Sequence, residues 1–290
     1  MAIGSNIRTF HNDTWFQGEV PIITSADHGA WLGTTVFDGA RLFDGLTPDL
    51  DAHCARVNRS AEALMLNPTV SVEDMLAIIK GGLRAYSKDD AVYIRPMYWG
   101  IHGSGNGIVP TREETGFAVC LEQVAMAPPE AAATLTRTRF KRPVLDSSVV
   151  NAKAGCLYPN NARMLAEANS KGFQNALVAD ALGNVAETAT ANVFMVRDGE
   201  VFTPIPNGTF LAGITRARHI TNLKADGVAI HETILSFDDF NQADEVFMTG
   251  NMSKITPVTA FDDIQYQSGP VAQRLREMYW DWAATDAAAT

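Results

Sequence analysis

The apolar positions in the first half of the chain change between helical and extended spacing. Between positions 50 and 64 they recur every three or four residues, which predicts an amphipathic helix with Arg56 on the flank of its apolar face. Ser71, followed by Asp74, predicts the start of a second helix that runs to about Tyr86. Apolar runs separated by turn-forming glycines predict the other elements of this half: strands and tight turns within 21–47, and strands at 91–98 and 116–124.

The second half mixes helices with hairpins. Helices are predicted at 161–171 and 215–226, and each is followed at once by a glycine that suits helix termination. Asp198-Gly199 lies between two apolar runs and is a strong hairpin signal, and a final helix is predicted at 270–283. Helices mixed with hairpins in both halves predict an α/β (α+β) fold rather than a doubly wound parallel sheet.

A proline-containing segment divides the chain. Residues 125–133, AMAPPEAAA, have neither helical nor strand periodicity. We therefore expect an N-terminal α/β lobe at 1–124, an interdomain linker at 125–133 and a C-terminal lobe at 134–290. A length of 290 residues is consistent with two such lobes.

Composition and charge argue against several classes of protein. The formal net charge of −10 disfavours a general affinity for nucleic acid or an anionic membrane. No apolar run approaches the roughly 20 residues that span a bilayer, and the N-terminus lacks the pattern of a secretion signal. The cysteines and histidines have neither disulfide nor metal-site spacing. These features predict a cytoplasmic protein without a bound metal.

Two charged residues lie among small neighbours that would let a ring pack closely. Lys153 is flanked by Ala152, Ala154 and Gly155, and burial there would favour the neutral, nucleophilic amine that Schiff-base chemistry needs. Glu187 stands just before a strand, where a carboxylate is able to hold a proton on a pyridine nitrogen. Taken singly, each residue is more often a solvated surface charge, so neither assigns a function by itself.

Three further features are suited to binding an anion. The helix start at 213–215 offers free amides and a helix dipole, the turn at 250–252 offers more amides, and Arg56 offers a cation. Each feature is also common in proteins that bind no ligand there. The GSGNG sequence at 103–107 lacks the Gly-Lys-Ser/Thr of a phosphate loop, and the G-x-S-x-G motif of a serine nucleophile is absent.

Seven segments of the chain share one resemblance. They are ADHGAWLGTTVFDG (26–39), HCAR (53–56), YIRP (93–96), NAKAGCLYPNN (151–161), VAETATANVF (185–194), FLAGITR (210–216) and ADEVFMTGNMSKITPV (243–258). Their residues, order and spacing resemble the class IV aminotransferases, the pyridoxal-phosphate proteins of fold type IV. The resemblance runs from about Ile22 to Ala283. It implies a smaller N-terminal lobe, a larger C-terminal lobe with a barrel-like sheet, and a transaminase dependent on pyridoxal 5′-phosphate (PLP).

The resemblance implies a role for each matching cofactor residue. Lys153 would link covalently to PLP and then shuttle a proton between the substrate carbon and the cofactor. Glu187 would pair with the pyridine nitrogen, Tyr158 would hydrogen-bond to the ring hydroxyl, and Leu211 would pack against the ring face. The phosphate would be held by Arg56, Ile214, Thr215 and Asn251, the middle two mainly through backbone amides.

Within the class, Tyr93-Ile94-Arg95 resembles the branched-chain amino-acid group more than the D-amino-acid or (R)-amine groups. Tyr93 and the Asn251-Met252 amides are expected to meet the substrate α-carboxylate, and Arg95 to help receive the side-chain carboxylate of glutamate. The residues expected to line a pocket for an apolar side chain are Trp31, Phe37 and Met252.

Three positions depart from the family pattern. Leu32 stands where the branched-chain enzymes usually have a tyrosine that helps to clamp glutamate, which weakens the case for glutamate as the preferred donor. Asp38 replaces a usual glutamate. Asn251 stands where a threonine hydroxyl commonly meets the phosphate, which changes the side chain but leaves an amide contact available.

The resulting hypothesis is a ping-pong transfer of an amino group between a hydrophobic, branched-chain L-amino acid and a 2-oxo acid. Alternatives are an (R)-amine or D-amino-acid transaminase, an aminodeoxychorismate-type lyase, and a non-catalytic PLP-binding protein. The joint presence of Lys153, Glu187 and Tyr158 argues against the last, because storing a phosphate compound needs only the anion site. The resemblance also implies at least a homodimer, in which the loop at 102–109 reaches into the neighbouring subunit's site.

Overall fold

The computed structural model describes residues 4–267 and 269–285. Within these residues the chain divides into two compact units. The first comprises 4–126, 152–156 and 283–285, and the second comprises 127–151, 157–267 and 269–282. The lobe boundaries expected at 124 and 134 stay a prediction. The short segment that carries Lys153 belongs to the first unit although it follows the linker in sequence.

The first unit is built on an antiparallel sheet. Its strands are β1 (Ser5–His11), β2 (Thr14–Gln17), β3 (Thr35–Phe37), β4 (Ala40–Leu42), β5 (Val92–Gly100), β6 (Gly103–Ser104), β7 (Val109–Pro110) and β8 (Thr115–Gln123). The order in the sheet is β2-β1-β8-β5-β3, with β4 also paired to β5, while β6 and β7 form a separate hairpin. The helices of this unit are α1 (His28–Trp31), α2 (Leu50–Ala63) and α3 (Val72–Leu83).

Helix α2 follows from the apolar periodicity at 50–64. Its apolar face is buried against β3, β4, β5 and α3, and full burial of a large apolar side chain stabilises a fold by about 1.5–3 kcal/mol. Arg56, on the flank of this face, is also buried, so its charge needs a partner inside the protein. The N-terminus of α3 is capped as expected, because the Ser71 hydroxyl accepts the Asp74 N–H.

The second unit contains a curled mixed sheet. Its strands are β9 (Ala133–Arg137), β10 (Asn175–Ala179), β11 (Val185–Thr188), β12 (Asn192–Arg197), β13 (Glu200–Pro204), β14 (Ile230–Thr233), β15 (Glu245–Gly250), β16 (Lys254–Phe261) and β17 (Ile264–Gln265). The order is β11-β10-β9-β16-β15-β12-β13-β14, with β17 paired to β16. Strand β11, at one end of this order, also packs against β12 and β13, so the sheet curls back on itself as the barrel-like prediction requires.

The helices of the second unit flank this sheet. They are α4 (Tyr158–Ser170), α5 (Ile214–Ala225), α6 (Phe237–Asn241) and α7 (Pro270–Thr285), of which residues 283–285 belong to the first unit. A 3₁₀ turn at Gly155–Leu157 precedes α4. Strand β12 shows how both sheet faces are covered: Val193 and Met195 pack into one apolar cluster, and Phe194 and Val196 into another. Across the described residues, the helices are all too short or too polar to cross a lipid bilayer.

The hairpin between β12 and β13 has the predicted turn. Asp198 and Gly199 both have positive φ, 52° and 79°, which is the type I′ geometry that matches the twist of the flanking strands. Two local features differ from the sequence prediction. Helix α4 begins at Tyr158 rather than 161, since Pro159 is accommodated in the first turn. The residues of α1 lie in a segment expected to form only strands and turns.

Candidate active site

Lys153 lies on an extended segment beside β3 in the first unit. Its carbonyl accepts the Phe37 N–H at 3.1 Å, its own N–H donates to Ser60 Oγ at 3.1 Å, and the next residue, Ala154, forms a bridge with Val36. The Lys153 Nζ atom lies 4.9 Å from the centroid of the Phe37 ring. The backbone is therefore fixed on both sides of the lysine, and the amine is presented beside an aromatic ring.

The small residues around Lys153 have a packing role. Ala152 and Ala154 are buried, and a Cβ at Gly155 would overlap the Thr35 hydroxyl. The sequence suggested that these residues leave room for a ring. The structure shows in addition that they let the Lys153 segment approach β3 closely.

Arg56 is anchored by a buried carboxylate. Its Nε and Nη2 donate to the two oxygens of Asp38 at 2.6 and 2.8 Å, and His53 Nδ1 lies 2.6 Å from Asp38 Oδ1. Asp38 is completely buried and also accepts the Gly39 N–H at 2.7 Å. Burial alone would raise the pKa of Asp38, but the charges of Arg56 and His53 hold it well below its ordinary value. The predicted phosphate ligand is thus oriented by a residue that the sequence marked only as a departure.

Tyr93 and Arg95 project from the same face of β5. The Tyr93 hydroxyl lies against Gly39, where any Cβ would overlap it. Arg95 forms an ion pair with Glu122 and donates to Cys120 Sγ at 3.5 Å, and its guanidinium lies 5.7 Å from the Tyr93 ring centroid. Arg95 was expected to meet a substrate carboxylate, and in the structure it already meets a carboxylate of the chain.

The apolar substrate residues of the first unit are not equally buried. Phe37 is half-buried beside Lys153, whereas Trp31 is 59% exposed and makes an edge contact with the His28 ring, with centroids 6.3 Å apart. Leu32 is 37% exposed. Phe37 is therefore the pocket residue that the structure brings next to the candidate catalytic lysine.

Glu187 lies within β11 and is held by two donors. Arg142 Nη2 is 3.0 Å from Glu187 Oε1, and Asn192 Nδ2 donates to Oε2 at 3.3 Å. Glu187 is 8% exposed, so the interpretation of a glutamate at a strand edge in water does not apply. A guanidinium and an amide donor therefore hold this buried carboxylate in one orientation. An oriented carboxylate of this kind is suited to pairing with a protonated pyridine nitrogen.

Arg142 and Asn192 also connect Glu187 to other predicted cofactor residues. Arg142 Nη1 donates to Asn161 Oδ1 at 2.7 Å, and Asn161 lies on α4 one turn after Tyr158. Asn192 Nδ2 also donates to the Leu211 carbonyl at 3.1 Å. Arg142 and Asn192, which the sequence patterns did not single out, therefore connect Glu187 to helix α4, on which Tyr158 lies, and to the Leu211 backbone.

The start of α5 has the features of an anion site. Gly213 is its N-cap residue and makes no side-chain cap, so the first-turn amides at Ile214 and Thr215 have no capping side chain. A Cβ at Gly213 would overlap Asn192 Oδ1, so the glycine lets this helix start lie against the residue that binds Glu187. Uncapped amides at a helix N-terminus attract anions.

The turn after β15 supplies further donors. In the described part of the chain, Asn251 Nδ2 and Thr249 Oγ1 are buried and have no hydrogen-bond partner. Buried polar atoms are rarely left unpaired, so these atoms are suited to a ligand with acceptor oxygens. His219 Nε2 lies 3.1 Å from the Lys254 carbonyl, which ties α5 to this turn. Unpaired donors beside an uncapped helix start fit a phosphate group.

Comparisons with known proteins identify the family of the chain. A family model described as amino-transferase class IV matches residues 35–261, which is more than half of the chain. The chain belongs to the class IV aminotransferases. The predictions of the family, of fold type IV and of an aminotransferase are confirmed, and the predicted cofactor, PLP, is confirmed for the family.

Relatives of this class IV aminotransferase span nearly the whole chain. The branched-chain-amino-acid aminotransferase of Escherichia coli (strain K12) is 28% identical over 288 residues, covering 92% of this chain and 91% of its own. A putative branched-chain-amino-acid aminotransferase of Methanocaldococcus jannaschii is 30% identical over 262 residues, covering 88% and 89%. A solved aminotransferase from Brucella abortus, bound to the co-factor PLP, has a TM-score of 0.95 at 55% identity, covering 96% and 99%.

Proposed function

We propose that this class IV aminotransferase moves an amino group between a hydrophobic, branched-chain L-amino acid and a 2-oxo acid by a ping-pong mechanism. The relatives named as branched-chain-amino-acid aminotransferases support this substrate class. The observation that carries the proposal is the buried Glu187 carboxylate, held by Arg142 and Asn192. A protein that only stores a phosphate compound has no need for such a group.

Lys153 is the proposed catalytic residue. Bound PLP supplies an aldehyde that condenses with amines and a protonated pyridine ring that withdraws electrons from the reacting carbon. Lys153 would hold the cofactor through its amine and would move a proton at the substrate Cα. Its backbone hydrogen bonds to Phe37 and Ser60 keep the side chain directed from one fixed point.

The other proposed cofactor residues bind and orient. Glu187, held in place by Arg142 and Asn192, would pair with the protonated pyridine nitrogen. Tyr158 would hydrogen-bond to the ring hydroxyl, and Leu211 would pack against the ring face. The proposed phosphate ligands are Arg56, the amides of Ile214 and Thr215, and Asn251.

The surroundings of Arg95 support an apolar donor. Tyr93 and the Asn251-Met252 amides are proposed to bind the α-carboxylate, with Phe37, Trp31 and Met252 next to the side chain. A second carboxylate, as in glutamate, would have to compete with Glu122 for Arg95. Leu32 offers no hydroxyl to assist it. Both features favour a hydrophobic side chain over glutamate.

Exposed apolar residues of the first unit support a homodimer. Trp31, Ile108 and Val109 are each at least half exposed, and the Ile108 carbonyl lies 3.0 Å from His28 Nε2. Exposed apolar residues close together often mark an interface between proteins. We propose that a second copy of the chain covers these residues and that the loop at 102–109 contributes to the site of that second copy.

We further propose a cytoplasmic location for the protein. We also propose that residues 1–124 and 134–290 form its two lobes.

A comparison of three donors tests the proposed function. Holoenzyme is mixed with L-leucine, D-alanine or (R)-1-phenylethylamine, and the loss of the cofactor absorbance band is followed with release of the keto product. L-leucine is expected to react fastest, and initial rates with 2-oxoglutarate should give parallel double-reciprocal lines. A faster reaction with D-alanine or the amine would replace the substrate assignment. Pyruvate release from aminodeoxychorismate without an acceptor would indicate the lyase.

A further inference from the structure

Lys254 occupies an unusual position at the start of β16. It is 1% exposed and has a φ of 62°, in the left-handed region that is costly for a residue with a side chain. Burial of an ammonium group is costly as well. Strained and buried polar residues of this kind persist where a specific interaction depends on them.

The Lys254 ammonium fixes the orientation of a neighbouring carboxamide. Lys254 Nζ lies 2.7 Å from Asn251 Oδ1. An ammonium group only donates hydrogen bonds, so the amide atom that faces it has to be the oxygen. The Asn251 NH₂ group is therefore turned to the other side. It is buried there and has no acceptor among the residues the structure describes.

The same lysine holds the turn against the start of α5. Its carbonyl lies 3.1 Å from Nε2 of His219, which follows Thr215 by one helical turn on α5. Its ammonium also lies 5.6 Å from the Tyr279 ring centroid. Lys254 and His219 thus connect the turn between β15 and β16 to helix α5. The turn region carries the oriented Asn251 amide and the buried Thr249 hydroxyl, and α5 carries the uncapped amides.

We propose that Asn251 binds the cofactor phosphate through its side-chain Nδ2, and that Lys254 is the positioning residue that enforces this orientation. This inference rests on the proposed function of the site. Lys254 does not need to touch the phosphate. Its ammonium holds the amide oxygen, which leaves the NH₂ group as the donor, and its charge polarises the amide towards an anion.

The test compares the affinities of apoenzyme variants for PLP and for pyridoxal, which lacks the phosphate. Lys254→Met keeps the length of the side chain but removes the donor. Because one oriented hydrogen bond to a charged group is lost, the Kd for PLP is expected to rise about tenfold. The Kd for pyridoxal is expected to stay nearly unchanged. Asn251→Asp still pairs with Lys254 but presents a carboxylate to the phosphate, so it should weaken PLP binding more.

A double-mutant cycle separates positioning from stability. Asn251→Thr supplies a hydroxyl donor whose direction does not depend on Lys254, so adding Lys254→Met to it should change PLP affinity by less than about twofold. Lys224→Met, at an exposed lysine in the last turn of α5, is the control and should bind PLP like the wild type. Thermal unfolding of each apoenzyme checks folding. If Lys254→Met does not fold, Asn251→Asp and Asn251→Thr still decide the role of the amide.

Equal losses of affinity for PLP and pyridoxal, or unchanged PLP affinity in Lys254→Met and Asn251→Asp, would overturn the inference. Either result leaves the proposed function intact if the wild type still binds PLP and transaminates. A wild-type protein that binds no PLP would instead refute the proposed function itself.

Discussion

Asp38 and Arg56 form a bidentate ion pair in the interior of the first unit. The guanidinium Nε and Nη2 lie 2.6 and 2.8 Å from the two carboxylate oxygens, and Asp38 has no exposed surface. A planar guanidinium held at two points has little freedom to rotate. The pair therefore fixes where Arg56 offers its charge, which matters if Arg56 binds the phosphate.

We expect Asp38→Asn to lower the free energy of unfolding by about 3–5 kcal/mol, because it leaves the buried Arg56 charge without its partner. Asp38→Glu keeps the charge but adds a methylene in a packed site, at a cost of about 1–3 kcal/mol. Urea unfolding of the two variants and the wild type measures both values. A similar loss in the two variants would show that packing, rather than charge, determines stability at this position.

The stability of the protein should depend on the titration of His219. Burial, together with the nearby Lys254 charge, lowers the pKa of His219 from 6.5 to about 4 although its bond to the Lys254 carbonyl acts the other way. As the pH falls, His219 is protonated in the unfolded chain before it is protonated in the folded protein. The contribution of neutral His219 to the free energy of unfolding is therefore complete above pH 6.5 and is lost as the pH falls towards 4. The loss should be on the order of 3 kcal/mol.

Urea unfolding between pH 7 and 4 measures this effect. His219→Gln removes the titrating group, so its stability should fall less steeply than that of the wild type between pH 6.5 and 5. Asp38, whose pKa is also lowered, contributes only below its ordinary value of 3.8 and does not interfere in this range. Identical slopes for the two proteins would assign the acid sensitivity to other groups.

Glu187→Gln should separate cofactor binding from turnover. The variant keeps the size of the side chain but removes the charge that would hold a proton on the pyridine nitrogen, so we expect kcat to fall by at least about a hundredfold. The yellow cofactor band should remain, because Lys153 is untouched. Absorbance spectra and steady-state rates with L-leucine check both points. Near-normal turnover would contradict the role given to Glu187.

Glu122 is expected to act on donor preference. In Glu122→Gln the buried carboxylate that pairs with Arg95 is lost, so Arg95 becomes available to a second carboxylate of the donor. The ratio of kcat/KM for glutamate to that for leucine should therefore rise several-fold. Glu114→Gln, the same substitution at an exposed glutamate that contacts His102, is the control for loss of a negative charge elsewhere in this unit. An unchanged ratio would mean that Arg95 does not meet the donor side chain.

Leu32→Tyr tests the same preference independently. The new hydroxyl would supply the group that usually helps to clamp glutamate, so glutamate should again improve relative to leucine. The same competition assay measures the ratio. A ratio equal to that of the wild type would remove Leu32 from the account of specificity.

The sequence pattern alone predicts the elements that are determined by neighbouring residues: an amphipathic helix, a helix cap and a hairpin turn. Residues 50–64 form α2 to within one residue, Ser71 caps α3, and Asp198-Gly199 forms the expected turn. The four-residue helix α1 was missed because it is too short to show periodicity.

The support of the candidate site was beyond the reach of sequence patterns. Arg142 lies in the loop after β9 and Glu187 in β11, and they come together because β9, β10 and β11 are neighbours in the sheet. The same applies to Arg95 with Glu122, on β5 and β8, since cross-strand partners are set by register. Asp38 was noticed as a departure, but its pairing with Arg56 on α2 could not be inferred from spacing.

The covalent role of Lys153 is the central claim, and one measurement addresses it directly. Holoenzyme reconstituted with PLP is reduced with borohydride, digested, and mapped by peptide mass spectrometry. The phosphopyridoxyl mass should appear on Lys153 and be absent from the Lys153→Ala variant, which should also lack turnover. A label on another lysine, or a Lys153→Ala variant that still transaminates, would contradict the account.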